Sequence, residues 1–158
     1  MIPVIIVVIL VAFDQLTKHI VLNSLAPIKQ KVLIDGFFNL TYVENRGAAF
    51  GAMQGARWFF VILAVVVVSA VAFYYYKCEK TPRTLPLRIS LIMLVGGTVG
   101  NVIDRVFRGY VVDFLDFIVF GYDFPVFNVA DILIVLGTFL LAGCILLMDV
   151  KTDKEKQK

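Results

Sequence analysis

Asp113 and Asp131 lie in apolar and aromatic company, in Val111-Val112-Asp113-Phe114-Leu115-Asp116-Phe117 and Phe124-Pro125-Val126-Phe127-Asn128-Val129-Ala130-Asp131-Ile132. The chain is 60% hydrophobic, and a carboxylate in such a setting is a candidate for a functional site. Two that converge make an acid/base pair for cleaving a bond with water. Like charges close together do not both ionise easily, so one carboxyl keeps its proton. The ionised one takes a proton from water as it attacks, and the protonated one stabilises the oxyanion. No serine, cysteine or lysine of the surrounding polar cluster sits beside a base suited to covalent catalysis. Spacing alone leaves two readings of Asp113 and Asp131 open: catalysis, or charges at a membrane interface.

Other polar residues recur at helical spacing. Asn101, Asp104 and Arg105 are i, i+3, i+4, on one helix face. Asn128 and Asp131 are i, i+3. Asp14 and Lys18 are i, i+4, the favoured order for an intrahelical ion pair, and read as structural. Asp104 beside Arg105 reads as bracing a helix end, and Asp116 and Asp123 read as solvated loop residues. Gly96 and Gly100 form a GxxxG pair that permits close helix approach.

The elements that must position these residues are four apolar segments, at about 2–21, 58–76, 87–107 and 129–148. Each approaches the roughly 20 residues a membrane helix needs. The fold class is therefore integral membrane α-helical, one domain over 1–158, with four transmembrane helices and a small extracytoplasmic β-sheet. Lys77, Lys80, Arg83 and Arg88, with Lys151, Lys154, Lys156 and Lys158 in the tail, place loop 77–86, tail 149–158 and both termini in the cytoplasm. The tail is expected to fray. Segments 23–57 and 108–127 then lie outside. In the first, Lys31-Val32-Leu33-Ile34 and Phe38-Asn39-Leu40-Thr41-Tyr42-Val43 flank the turn signal Asp35-Gly36, which predicts a hairpin. The second reads as a loop against the interface. This topology puts Asp14, Lys18, Asn45, Asn101, Asp104, Arg105, Asn128 and Asp131 at one depth, near the outer face.

Composition narrows the field further. The chain has 158 residues, 17% charged, with net charge +3 and no basic run in a soluble module, which argues against nucleic acid. Cys78 and Cys144 fall at unlike places, so neither a disulfide nor a metal site is expected, and His19 reads as an interfacial polar residue. No metal and no cofactor is expected. Residues 1–13 are apolar but lack a basic leader region and a clear cleavage site, so they read as part of the first span. Leu141-Ala142-Gly143-Cys144 mimics a lipobox, but inside the last span it reads as small-residue helix packing.

Five blocks together resemble bacterial lipoprotein signal peptidase, the type II signal peptidase, an intramembrane aspartic peptidase family. They are Asp14-Gln15-Leu16-Thr17-Lys18; Asn45-Arg46-Gly47-Ala48-Ala49-Phe50-Gly51; Gly96-Gly97-Thr98-Val99-Gly100-Asn101-Val102-Ile103-Asp104-Arg105; Val111-Val112-Asp113-Phe114; and Phe124 to Asp131. The resemblance implies a four-helix enzyme of the bacterial cytoplasmic membrane that cleaves diacylglyceryl-modified prolipoproteins on the amino side of the lipidated cysteine. It implies Asp113 and Asp131 as the dyad. It implies Asn45, Asn101, Arg105 and Asn128 as residues holding substrate or a globomycin-type peptide inhibitor, with Asp14, Lys18 and Asp104 as support. Membrane lipid is the surrounding partner, and a monomer is the expected state. Two other classes remain as alternatives: a small proton- or ion-linked transporter using the buried charges, and a structural assembly subunit docking through its glycines. Against a transporter, the charges cluster at one depth and no inverted repeat appears.

Overall fold

In the computed structural model the backbone is described for residues 1–47 and 53–156, and side chains as far as residue 147. Four helices carry the architecture: α1 (Ile2–Ser24), α2 (Arg57–Lys77), α3 (Leu85–Phe107) and α4 (Val129–Lys156). Pro3 and Pro86 sit in the first turns of α1 and α3, where a missing N–H is tolerated. All four helices contain a stretch long and apolar enough to cross a membrane, in α4 the stretch Val129–Leu147. Beyond that stretch α4 continues through the charged residues to Lys156, where fraying was expected. Lys and Glu are good helix formers, and the helix before them supplies the nucleus.

α3 is the hub, packing against α1, α2 and α4. Its glycines explain why. A Cβ on Gly97 would run into the Ala130 carbonyl and Ile134 of α4, and one on Gly100 would lie 2.5 Å from Asp14 Oδ2 of α1. Bare backbone at these points lets three helices meet at van der Waals distance. Gly143 has no such role: nothing lies within 4 Å of where its Cβ would be. At Gly143 the small-residue packing expected of the lipobox-like segment is therefore not seen, while Gly137 of α4 packs on the Ser90 carbonyl of α3.

The connections from α1 to α2 and from α3 to α4 form one antiparallel sheet in the order β1 (Gln30–Ile34), β2 (Phe38–Asn45), β3 (Val111–Val119), β4 (Tyr122–Asp123). The expected hairpin around Asp35-Gly36 is present as β1 and β2. Segment 108–127 differs from its reading as a loop, because it forms β3 and β4 and completes the sheet. Its long-range partner β2 is 65 or more residues away in sequence, so local pattern does not reveal the pairing. Asp116 consequently lies in a strand, where Thr41 Oγ1 donates to its Oδ2 at 2.5 Å. Phe117 stacks on Phe38 at 4.4 Å between ring centres and on Phe127 at 5.8 Å. Val21 of α1 and Leu25 just beyond it pack with Val112 and Phe114, tying the sheet to the bundle.

Candidate active site

The sheet and the helix ends bring the two carboxylates to one place. In the β2–β3 register Val43 faces Asp113, so Asn45, two residues on, is a diagonal neighbour on the same face. Asn45 Nδ2 donates to Asp113 Oδ2 at 2.9 Å. Asn45 is itself oriented by the Gly47 N–H, which donates to Asn45 Oδ1 at 3.0 Å. Asp131 sits in the first turn of α4. Its Oδ2 accepts the Asn128 N–H at 3.1 Å, while the Asp131 N–H donates to Asn128 Oδ1 at 3.0 Å. This reciprocal pair is a capping box with an aspartate at the third helical position.

Asn128 also reaches the other carboxylate. Its Nδ2 donates to Asp113 Oδ1 at 2.6 Å and to Asn101 Oδ1 at 3.2 Å. One asparagine thus touches both aspartates. Asn101 Nδ2 donates to Asp131 Oδ1 at 2.8 Å, and Lys18 Nζ donates to Asn101 Oδ1 at 2.9 Å. An ammonium only donates, so Lys18 fixes which end of the Asn101 amide points at Asp131. Asn101 and Asn128 are buried, each with its Nδ2 donating to a carboxylate and its Oδ1 accepting from a neighbouring donor.

Asp113 is 2% exposed, whereas Asp131 is half-buried. Burial, followed by the charge of Asp131, pushes the Asp113 carboxyl up to about 7, against weaker opposing hydrogen bonds from Asn45 and Asn128. A carboxyl holding a proton near neutrality beside a second carboxylate is the arrangement needed for acid–base hydrolysis. Asp131 also lines an apolar groove of about 300 Å³ with Phe124, Phe127, Ile132, Val135 and Leu136.

Behind this pair lies an ionic cluster. Lys18 Nζ is 2.9 Å from Asp14 Oδ2 and 3.0 Å from Asp104 Oδ2, all three side chains 0% exposed. Arg108 pairs with Asp104 Oδ1. The four charges cancel, which is the condition for keeping them out of water. The expected Asp14–Lys18 pair is therefore present, but Lys18 also bridges to α3. Asp104 braces its helix end through Lys18, Arg108 and the Val112 N–H (3.1 Å), not through Arg105. Asp14 Oδ1 accepts the Ala130 N–H at 2.9 Å, one residue from Asp131. Arg105 donates to the Gly47 carbonyl at 3.1 Å and lies over the Phe60 ring at 4.9 Å.

Three contributors were not singled out from sequence. Gln15 Nε2 donates to Asp14, Asp104 and the Gly100 carbonyl, and its Oε1 accepts from Arg108. Its signal was an amide beside Asp14 within an apolar span. Arg57 Nη2 donates to the Val106 carbonyl at 2.6 Å, capping the end of α3 from the start of α2. Arg108 carried no signal beyond its i, i+4 offset from Asp104. Of the block around Asn45, residues 48–51 lie outside the described residues.

Four long apolar helices with a carboxylate pair held at one end place the molecule among membrane-embedded proteins equipped for acid–base chemistry. Residues 6–147 match the family described as signal peptidase (SPase) II. Lipoprotein signal peptidase of Clostridioides difficile is 40% identical over 153 residues, covering 96% of this chain and 99% of that one. The same-named protein of Caldanaerobacter subterraneus subsp. tengcongensis is 46% identical over 138 residues, covering 87% and 91%. A solved bacterial membrane enzyme superposes with TM-score 0.80 at 33% identity, covering 99% of this chain and 91% of its own. The chain belongs to the signal peptidase II family. It is an integral membrane helical protease, and the transporter alternative finds no support among these relatives.

Proposed function

We propose that the chain removes signal peptides from diacylglyceryl-modified prolipoproteins, cleaving on the amino side of the lipidated cysteine. The observation that carries this reading is the joining of Asp113 and Asp131 through Asn128, beside an apolar groove that reaches Asp131. The groove offers room for apolar parts of a lipidated substrate next to the reacting bond.

The dyad works with one shared proton. Asp113, raised to about 7, holds it and donates to the scissile carbonyl oxygen. Asp131 accepts a proton from water as the water oxygen bonds to the carbonyl carbon. The resulting tetrahedral intermediate then breaks its C–N bond. The nitrogen takes a proton from Asp131 and leaves as the amine, the new carboxyl forms, and Asp113 recovers its proton. Asn45, Asn101 and Asn128 hold the pair in register and line the site that receives substrate or a globomycin-type peptide. Arg105 flanks the site and binds substrate or a globomycin-type peptide. Asp14, Lys18 and Asp104 keep the helix ends in place. No metal enters this cycle. The enzyme acts as a monomer in the bacterial cytoplasmic membrane, with both termini cytoplasmic and the site near the outer face.

The test is a cell-free assay with purified protein, lipidated precursor and its unlipidated counterpart. Cleavage of the lipidated form alone, retained in EDTA, supports the reading. Equal cleavage of both forms, or loss on chelation restored by zinc, overturns it.

A further inference from the structure

The end of the bundle remote from the carboxylates holds a second kind of site. A cavity of about 570 Å³ opens among the start of α1, the end of α2 and the start of α3. Lys80, Arg88 and Tyr75 contribute polar side chains, and among the described residues no acidic side chain lines it. Arg88 is anchored by donating from Nη2 to the Thr81 carbonyl at 3.2 Å. Its Nε is buried without a hydrogen-bond partner among the described residues. A buried guanidinium N–H left unused is costly, and an oxyanion would satisfy it.

The cavity is not only a cationic pocket. Ile2, Ile6, Ile89 and Ile92 form its apolar wall. It shares Pro3, Tyr75 and Ile92 with a neighbouring apolar groove of about 230 Å³ that continues along α3 to Val95. From Leu85 to Val95 is about 15 Å along a helix. That is about half the thickness of a bilayer's hydrocarbon core, the depth of one leaflet. A cationic mouth joined to an apolar channel one leaflet deep has the shape of a single phospholipid.

We propose that this groove binds a phospholipid with a net anionic headgroup. Its phosphate sits between Arg88 and Lys80, and one acyl chain lies among α1, α2 and α3. Two cations against one phosphate, with no carboxylate among the described lining residues to receive an ammonium, select against zwitterionic headgroups. Ordinary boundary lipid would cover the apolar faces equally well but would not require the arginine.

Native mass spectrometry of the purified full chain tests this, with phosphatidylglycerol and phosphatidylcholine of matched acyl chains. Wild-type protein is expected to retain phosphatidylglycerol preferentially. Each basic residue in direct reach of the bound headgroup is expected to contribute about a five-fold preference. Lys80→Gln should therefore lower retention about five-fold, and Arg88→Gln at least as much. Ile6→Trp fills the apolar side of the cavity without changing charge and should also lower it, which keeps the test sound if Arg88→Gln disturbs the loop. Lys77→Gln removes a charge at the same end of the bundle but outside the groove, and should leave retention unchanged. Equal retention of the two lipids by wild type, or an equal effect of Lys77→Gln and Lys80→Gln, would overturn the proposal in favour of diffuse surface charge.

Discussion

At Asn128 one side chain caps a helix and joins two carboxylates. Its replacement by alanine should lower stability by about 1 kcal/mol through the lost cap, and should lower kcat more than it raises KM, because the buried Asn128 amide holds both aspartates. The dyad itself is tested by Asp113→Asn and Asp131→Asn. Each should reduce turnover on the order of 1,000-fold or more, since an amide neither accepts nor delivers the shared proton. Turnover within about tenfold of wild type for either variant would remove the mechanism. Asp113 also sets a pH dependence. Its folded-state value of about 7 lies above the ordinary carboxylate range because of burial and the Asp131 charge. The folded protein thus keeps a proton that the unfolded chain releases. The stability contributed by this group is complete below the ordinary carboxylate range and is lost as pH rises through about 7. Two measurements follow: kcat/KM should fall above pH about 7 as the pair becomes doubly ionised, and the Tm advantage of Asp113→Asn over wild type should be larger in alkaline than in acidic buffer.

Among the elements, α1, α3 and α4 meet where Asp14 touches Lys18, approaches Gly100 and accepts the Ala130 N–H. Asp14→Ala leaves the Lys18 and Arg108 charges in excess over Asp104 and frees the start of α4. Breaking a buried pair in this way should destabilise by about 3–5 kcal/mol, visible as a lower Tm in detergent. Purified Asp14→Ala with unchanged Tm but no turnover would instead place Asp14 in the catalytic site. This junction also marks how far sequence could see. The i, i+4 offset of Asp14 and Lys18 announced their pair, because both lie on one helix. It did not announce the contact with Ala130, which is created only when α4 packs against α1. The sheet divides the same way. Asp35-Gly36 fixes a local turn and signals β1 and β2, whereas β3 is a strand because β2 lies beside it. Asp113 and Asp131 stood out by their apolar surroundings, but the asparagine that links them is recognisable as a link only in three dimensions.

For the whole molecule, the decisive question is which face of the membrane carries the dyad. The basic loop between α2 and α3 and the start of α1 lie at one end of the bundle, and the sheet with the carboxylates lies at the other. Helices of this length leave no freedom to invert one end alone. A label at either end therefore reports on both. In a chain with Cys78 and Cys144 replaced by alanine, single cysteines at Lys80 and Arg83 should react with an impermeant maleimide only from the cytoplasmic side. Cysteines at Asp35 and Asp123, both exposed at the sheet, should react only from outside. A lipidated precursor anchored in the outer leaflet could then bring its scissile bond to Asp131 by moving within the membrane plane, without crossing the bilayer. Labelling of Asp35 and Asp123 from the cytoplasm would place the dyad against the inner leaflet, and the proposed substrate would have to be met before its translocation.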